Sequence, residues 1–173
     1  MPELWTLGCL AFMTTRESIE SAFADVPYPG DDSITRCTHE DCLECDEIAA
    51  YFRGTTWRDH TLGQLREHHS AITMFTPEAF HYFLPAFMLQ SLGHWREADM
   101  IPHFIAGQFS PAKPDADAGM QQYCAVRWSI FSQQQREAVA AYLREYSASA
   151  THPWFSRDVD RVVSRLETHE TAA

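Results

Sequence analysis

Apolar positions recur at helical spacing along most of the chain, and the residues between the runs are helix starters and breakers. Thr14 followed by Glu17 is a capping-box pair, and Ile19, Ala22, Phe23 and Val26 fall on one face of the helix it opens, over about residues 15–25. Two prolines and a glycine in Pro27-Tyr28-Pro29-Gly30-Asp31-Asp32 then end regular structure. Leu43, Ile48, Ala49, Tyr51 and Phe52 predict a second helix closed by Gly54, and Thr61 caps a third that carries Leu62, Leu65, His69, Ile72 and Met74 or Phe75.

Thr76-Pro77-Glu78 combines a capping hydroxyl, a proline suited to the first turn and an acid at the positive end of the helix dipole. The run from Ala79 to Leu89 is apolar almost all round, so this helix belongs in the middle of the molecule. Pro85 inside it predicts a kink or a division, and Gly93 its end. A further short helix fits within Trp95 to Phe109. Residues 110–119 read as a flexible acidic linker. Cys124, Val126, Trp128 and Ile130 alternate, which predicts a short strand in Tyr123–Phe131. Ser132 with Gln135 opens an amphipathic helix to about Tyr146 that buries Val139, Tyr142 and Leu143. After His152-Pro153, Ser156 with Asp158 opens a last helix carrying Val159, Val162, Val163 and Leu166. The pattern is that of a mainly α protein: one compact domain of about six helices over residues 14–173, with a 1–13 extension before it and room for one short strand or hairpin.

Composition narrows the classes. With 173 residues and 45% hydrophobic residues the chain can bury a real core. Thirteen Lys and Arg against 24 Asp and Glu leave a net charge of −11, which repels phosphate backbones and argues against direct nucleic-acid binding. A field of that sign suits a basic protein partner. No run approaches the length of a membrane span. Met1–Phe12 is apolar, but it carries Glu3 and no basic residue, so it does not read as an export signal. Five cysteines, an odd number without a disulfide framework, fit a reducing compartment and a cytoplasmic location.

Three of those cysteines and a histidine crowd into Cys37-Thr38-His39-Glu40-Asp41-Cys42-Leu43-Glu44-Cys45. Cys37, His39, Cys42 and Cys45 are the donor types that tetrahedral Zn²⁺ accepts, and the two-residue spacing of Cys42 and Cys45 lets both sulfurs meet one ion. The four lie closer in sequence than zinc ligands usually do, so a remote residue such as Cys124, His60, His81 or His103 is an alternative fourth donor. The cluster opens a helix, whose unsatisfied N–H groups favour thiolate and so lower cysteine pKa values. Bare reduced thiols in an acidic loop are the simpler alternative. The pair His68-His69 after Glu67 lacks the spacing of a two-histidine zinc helix.

Tyr28-Pro29-Gly30-Asp31-Asp32, the Cys42–Cys45 pair leading into Phe52, Gly54 and Trp57, and Thr76-Pro77-Glu78-Ala79-Phe80 with Tyr82-Phe83-Leu84-Pro85-Ala86 resemble a family of small uncharacterised bacterial proteins, a domain of unknown function. The resemblance covers roughly residues 14–147 and implies kinship without chemistry.

Two functional expectations follow. In the first the chain is an acidic module that occludes a basic partner, as immunity proteins and antitoxins occlude bacterial toxins, with a structural zinc stapling its 27–45 loop. Tyr28, Asp31, Asp32, Glu40, Asp41 and Glu44 are its candidate partner-binding residues. In the second the same Cys/His cluster serves a zinc-dependent hydrolase, with Glu40, Asp41, Glu44 or Glu47 as general base. A sulfur-rich ligand set favours the first. A redox dithiol of Cys42 and Cys45 is a weaker third, because no thioredoxin-like βαβ pattern surrounds it. No other catalytic motif occurs, so no catalytic residue is assigned.

Overall fold

Capping side chains set where the helices begin. In the computed structural model, which describes residues 13–37, 42–149 and 156–168, the Glu17 N–H donates to Thr14 Oγ1 (3.2 Å) and the Thr14 N–H to Glu17 Oε2 (2.8 Å), opening α1 (Thr15–Ala22). The same reciprocal pairs, Thr61 with Gln64 and Ser132 with Gln135, open α3 (Leu62–Glu67) and α9 (Gln133–Ala148). Gly54 (φ +66°) and Gly93 (φ +79°) follow the ends of α2 (Leu43–Phe52) and α5 (Pro77–Ser91) in the left-handed region that glycine adopts without strain.

The fifth helix is the axis of the molecule. Every residue from Tyr82 to Leu89 is buried, and α5 packs against α1, α3, α6 (Trp95–Ala98), α7 (Ile101–Gln108) and α8 (Ala118–Ser129). Two aromatic groups meet its faces. Phe83 sits with Phe52 and Phe75, ring centroids 4.8 and 5.5 Å away; Phe80 sits with Phe109 and Phe131, both at 5.8 Å. The last helix, α10 (Ser156–Thr168), lies on α9, which lies on α1.

The all-helical reading holds, with corrections in detail. Tyr123–Phe131 is not a strand: Tyr123 to Ser129 lies in α8, where Asp117 Oδ1 caps the Met120 N–H at 2.8 Å and Arg127 and Trp128, adjacent in sequence, are both buried. The alternation is incidental, since only helical backbone bonds are satisfied there. Among the described residues the β-type pairing is one antiparallel bridge, Thr35 with Phe75. The described residues form ten helices where about six were expected: turns at 68–70 and 99–100 split two runs, giving α4 (Ala71–Met74) and separating α6 from α7, and α8 stands in place of the expected strand. Helix α5 continues unbroken through Pro85, which forgoes a single backbone hydrogen bond while burying its ring among apolar neighbours. Residues 118 and 119 of the expected linker belong to α8.

Thr76 has two jobs. Its Oγ1 accepts from the Ala79 N–H (3.1 Å) and donates to the Ser33 carbonyl (2.7 Å), tying the 33–36 segment to the start of α5. Thr76→Ala is expected to cost about 2 kcal/mol, the upper part of the range for a lost cap, read by urea unfolding.

One buried and two half-buried histidines are expected to make the fold sensitive to acid. His60 Nδ1 bonds the Tyr51 hydroxyl at 2.9 Å, and His81 Nε2 donates to Gln135 Oε1 at 2.9 Å while Gln135 Nε2 donates to the Ala22 carbonyl at 3.0 Å. Burial lowers the pKa of His60, His81 and His103 below the ordinary 6.5. The unfolded chain therefore takes up protons first as pH falls. Stability is fully present above about pH 6.5 and declines from there towards the lower folded-state values. Melting temperatures recorded from pH 8 to pH 5 should show the drop.

Candidate metal centre

Long-range backbone bonds fix the first donor. The Thr76 N–H donates to the Ile34 carbonyl (3.1 Å) and the Arg36 N–H to the Met74 carbonyl (2.9 Å), so the chain arrives at Cys37 already fastened to the turn before α5. The other two donors belong to α2. Cys42 is its N-cap residue and makes no side-chain capping bond; its carbonyl accepts from the Asp46 N–H at 3.0 Å. Cys45, in the first turn, shares the buried face of Ile48 and Phe52. Phe52 packs on Phe75 and Phe83, which seats that face of α2 beside the 33–37 segment.

The ligand atoms of Cys37, Cys42 and Cys45 consequently lie within 4.8 Å of one another, a spacing compatible with a metal site. Cys42 Sγ and Cys45 Sγ are 2.9 Å apart. A tetrahedral ion with metal–sulfur bonds of about 2.3 Å needs sulfurs about 3.8 Å apart, so small side-chain rotations within this cluster suffice. The thiol chemistry departs from the sequence expectation at one residue. The Cys45 thiol is pushed up to about 12, first by burial and then by its hydrogen bonds to Cys42 and Cys37 and their charge. The expectation from its place at a helix start was the opposite, a lowering. A cation arriving among the sulfurs reverses that balance by displacing the thiol proton.

His39, Glu40 and Asp41 lie outside the described residues. The remote candidates do not join the group: His60 and His81 are bonded to Tyr51 and Gln135, Cys124 Sγ lies 4.0 Å from Arg127 Nη2, and His103 is on α7. Of the acidic-loop residues, Tyr28 donates its hydroxyl to Asp31 Oδ1 (2.7 Å) and accepts from the Gly54 N–H (2.9 Å), stitching the 27–32 turn to the end of α2. Its ring stands edge-on to Tyr82 at 5.4 Å. Burial and the Asp31 bond raise its pKa. Asp31, Asp32 and Glu44 are exposed. The sequence reading overlooked the part Ser33 and Thr76 play in delivering Cys37; the one signal available, Thr76, also marks an ordinary helix cap.

No helix among the described residues is long and apolar enough to cross a membrane. No curated protein and no solved structure matches the chain. A family model does, beginning at the Thr14 cap of α1 and running into α10. That match spans residues 14–164, and the chain belongs to DUF6714, a family of unknown function.

Proposed function

We propose that this chain is an acidic binding module that covers a basic protein partner, its 27–45 corner fastened by a structural Zn²⁺ on Cys37, Cys42 and Cys45, with His39 as the fourth donor. The observation that carries the reading is the convergence of three thiols from two separately anchored segments. Sulfur-rich shells are typical of closed structural zinc, and an ion here would bind the 33–37 segment to α2. The exposed acids Asp32, Glu44, Asp46 and Glu47 flank that corner, and among the described residues none of them forms an ion pair. A cationic surface would find them unneutralised. The narrower form of the proposal is inhibition of a toxin by occlusion, as immunity proteins and antitoxins work.

The test is elemental analysis of the chain purified under reducing conditions, joined to capture from its native host at low salt. About one zinc per chain and a stoichiometric basic protein, lost when Glu44, Asp46 and Glu47 are neutralised to amides, are the expected results. Zinc-free protein of full stability defeats the metal half. Capture indifferent to both salt and neutralisation defeats the partner half.

A further inference from the structure

We propose that the cleft between the end of α7, residues 110–117 and α8 is an oxyanion-binding site, built by Arg36, Lys113 and Arg127 around Tyr123. The cleft has a volume of about 570 Å³ and all four side chains line it; a larger one of about 1020 Å³, reaching α10, shares Gln108, Ser110 and Lys113 as a wall. In a chain with only 13 basic side chains and a net charge of −11, three cations meet here. Among the described residues none of the three is paired with a carboxylate. Asp115 and Asp117 also line the cleft, and Asp117 Oδ1 is committed to the Met120 N–H.

Arg127 carries the argument. It is only 5% exposed, and a guanidinium cannot shed its charge on burial. Nη1 donates to Gln108 Oε1 at 2.5 Å, Nη2 has the weak acceptor Cys124 Sγ at 4.0 Å, and the buried Nε has no acceptor. Its charge rests instead on aromatic faces, 4.7 Å from the Tyr123 centroid and 5.7 Å from that of Phe80. Tyr123 is pinned by its hydroxyl to the Phe75 carbonyl at 3.0 Å, and the same ring holds Arg36 at 4.4 Å. Two guanidiniums on one ring repel each other, and ring contacts offset only part of the cost of a buried, unpaired cation. A phosphate or carboxylate supplies what is missing: in-plane acceptors for N–H donors whose faces are already stacked. Met120, Pro111 and Ala112 complete the wall, so the fitting ligand is a small organic oxyanion with an apolar body.

Isothermal titration of the full chain at low ionic strength with inorganic phosphate, phenyl phosphate and benzoate tests this. Saturable binding of one anion per chain is expected, with phenyl phosphate or benzoate binding more tightly than inorganic phosphate. Arg36→Gln and Lys113→Gln, both at exposed positions, should leave the circular dichroism unchanged and weaken binding about tenfold, the factor for one lost charge-assisted hydrogen bond. Arg127→Gln should abolish it, and the two exposed variants decide the matter where that one fails to fold. Preference between phenyl phosphate and benzoate names the ligand class. No saturation by any of the three anions, or binding unchanged in Arg36→Gln and Lys113→Gln, overturns the site.

Discussion

Cys37→Ser is expected to yield zinc-free protein with a melting temperature roughly 10 °C below that of the parent chain. Cys37 is the informative choice because it is half-buried and lies outside any helix, so the substitution itself disturbs little packing. On the proposed zinc site, what it removes is a ligand joining a segment anchored on α5 to the first turn of α2. Structural zinc contributes far more than this to small peptides that are unfolded without it. Here the core folds around α5 regardless, so the loss is confined to one corner, about 3 kcal/mol, which at this chain length is several degrees per kcal/mol. A chelator should lower the melting temperature of the parent by the same amount and leave Cys37→Ser unmoved. A parent chain indifferent to chelation would remove the metal from the account.

Phe83→Ala is expected to cost 3–5 kcal/mol, and urea unfolding should show it as a large fall in midpoint. Phe83 is fully buried, and its ring meets Phe52, Phe75, Tyr28, Tyr82 and His60. No single neighbour can collapse into the space it leaves, because these five rings come from five different places along the chain. Its loss also loosens the seat of α2, so zinc retention should fall together with stability. Leu43→Ala is the contrast: Leu43 is 76% exposed, and the change should lie within about 0.5 kcal/mol. A Phe83→Ala variant as stable as Leu43→Ala would mean that α5 is not the axis of the core.

The helix starts were legible because capping chemistry is local. Thr14 with Glu17, Thr61 with Gln64 and Ser132 with Gln135 form their bonds within three residues, whatever the rest of the chain does. The same locality misled at Tyr123–Phe131, where an alternating pattern suited a strand but no second strand among the described residues pairs with it. Helix satisfies its own backbone, and Asp117 was there to cap it. The split at 68–70 had no comparable local signal, and the sign of the one at 99–100 was a proline in the first turn of α7, Pro102. At 99–100, Asp99 takes a positive φ of 53° between α6 and α7, both of which pack on α5.

The candidate sites divide along the same line. The spacing of Cys42 and Cys45 suits two sulfurs meeting at one ion, and their chemistry could be read from the chain. That Cys37 reaches them is a tertiary result, produced by Thr76 and Met74 holding the 33–36 segment and by Phe52 drawing α2 onto Phe75 and Phe83. Arg36 and Arg127 gave no sign of each other in sequence, because only the packing of α8 on α5 brings Tyr123 and Arg127, a turn apart on α8, beside Arg36. The chain by itself determined most of the helix starts, the charge and a donor-rich stretch, since these depend on residue type and on neighbours within a turn. The tertiary structure alone decided which distant side chains share a space, since that depends on where large aromatic rings can be buried together.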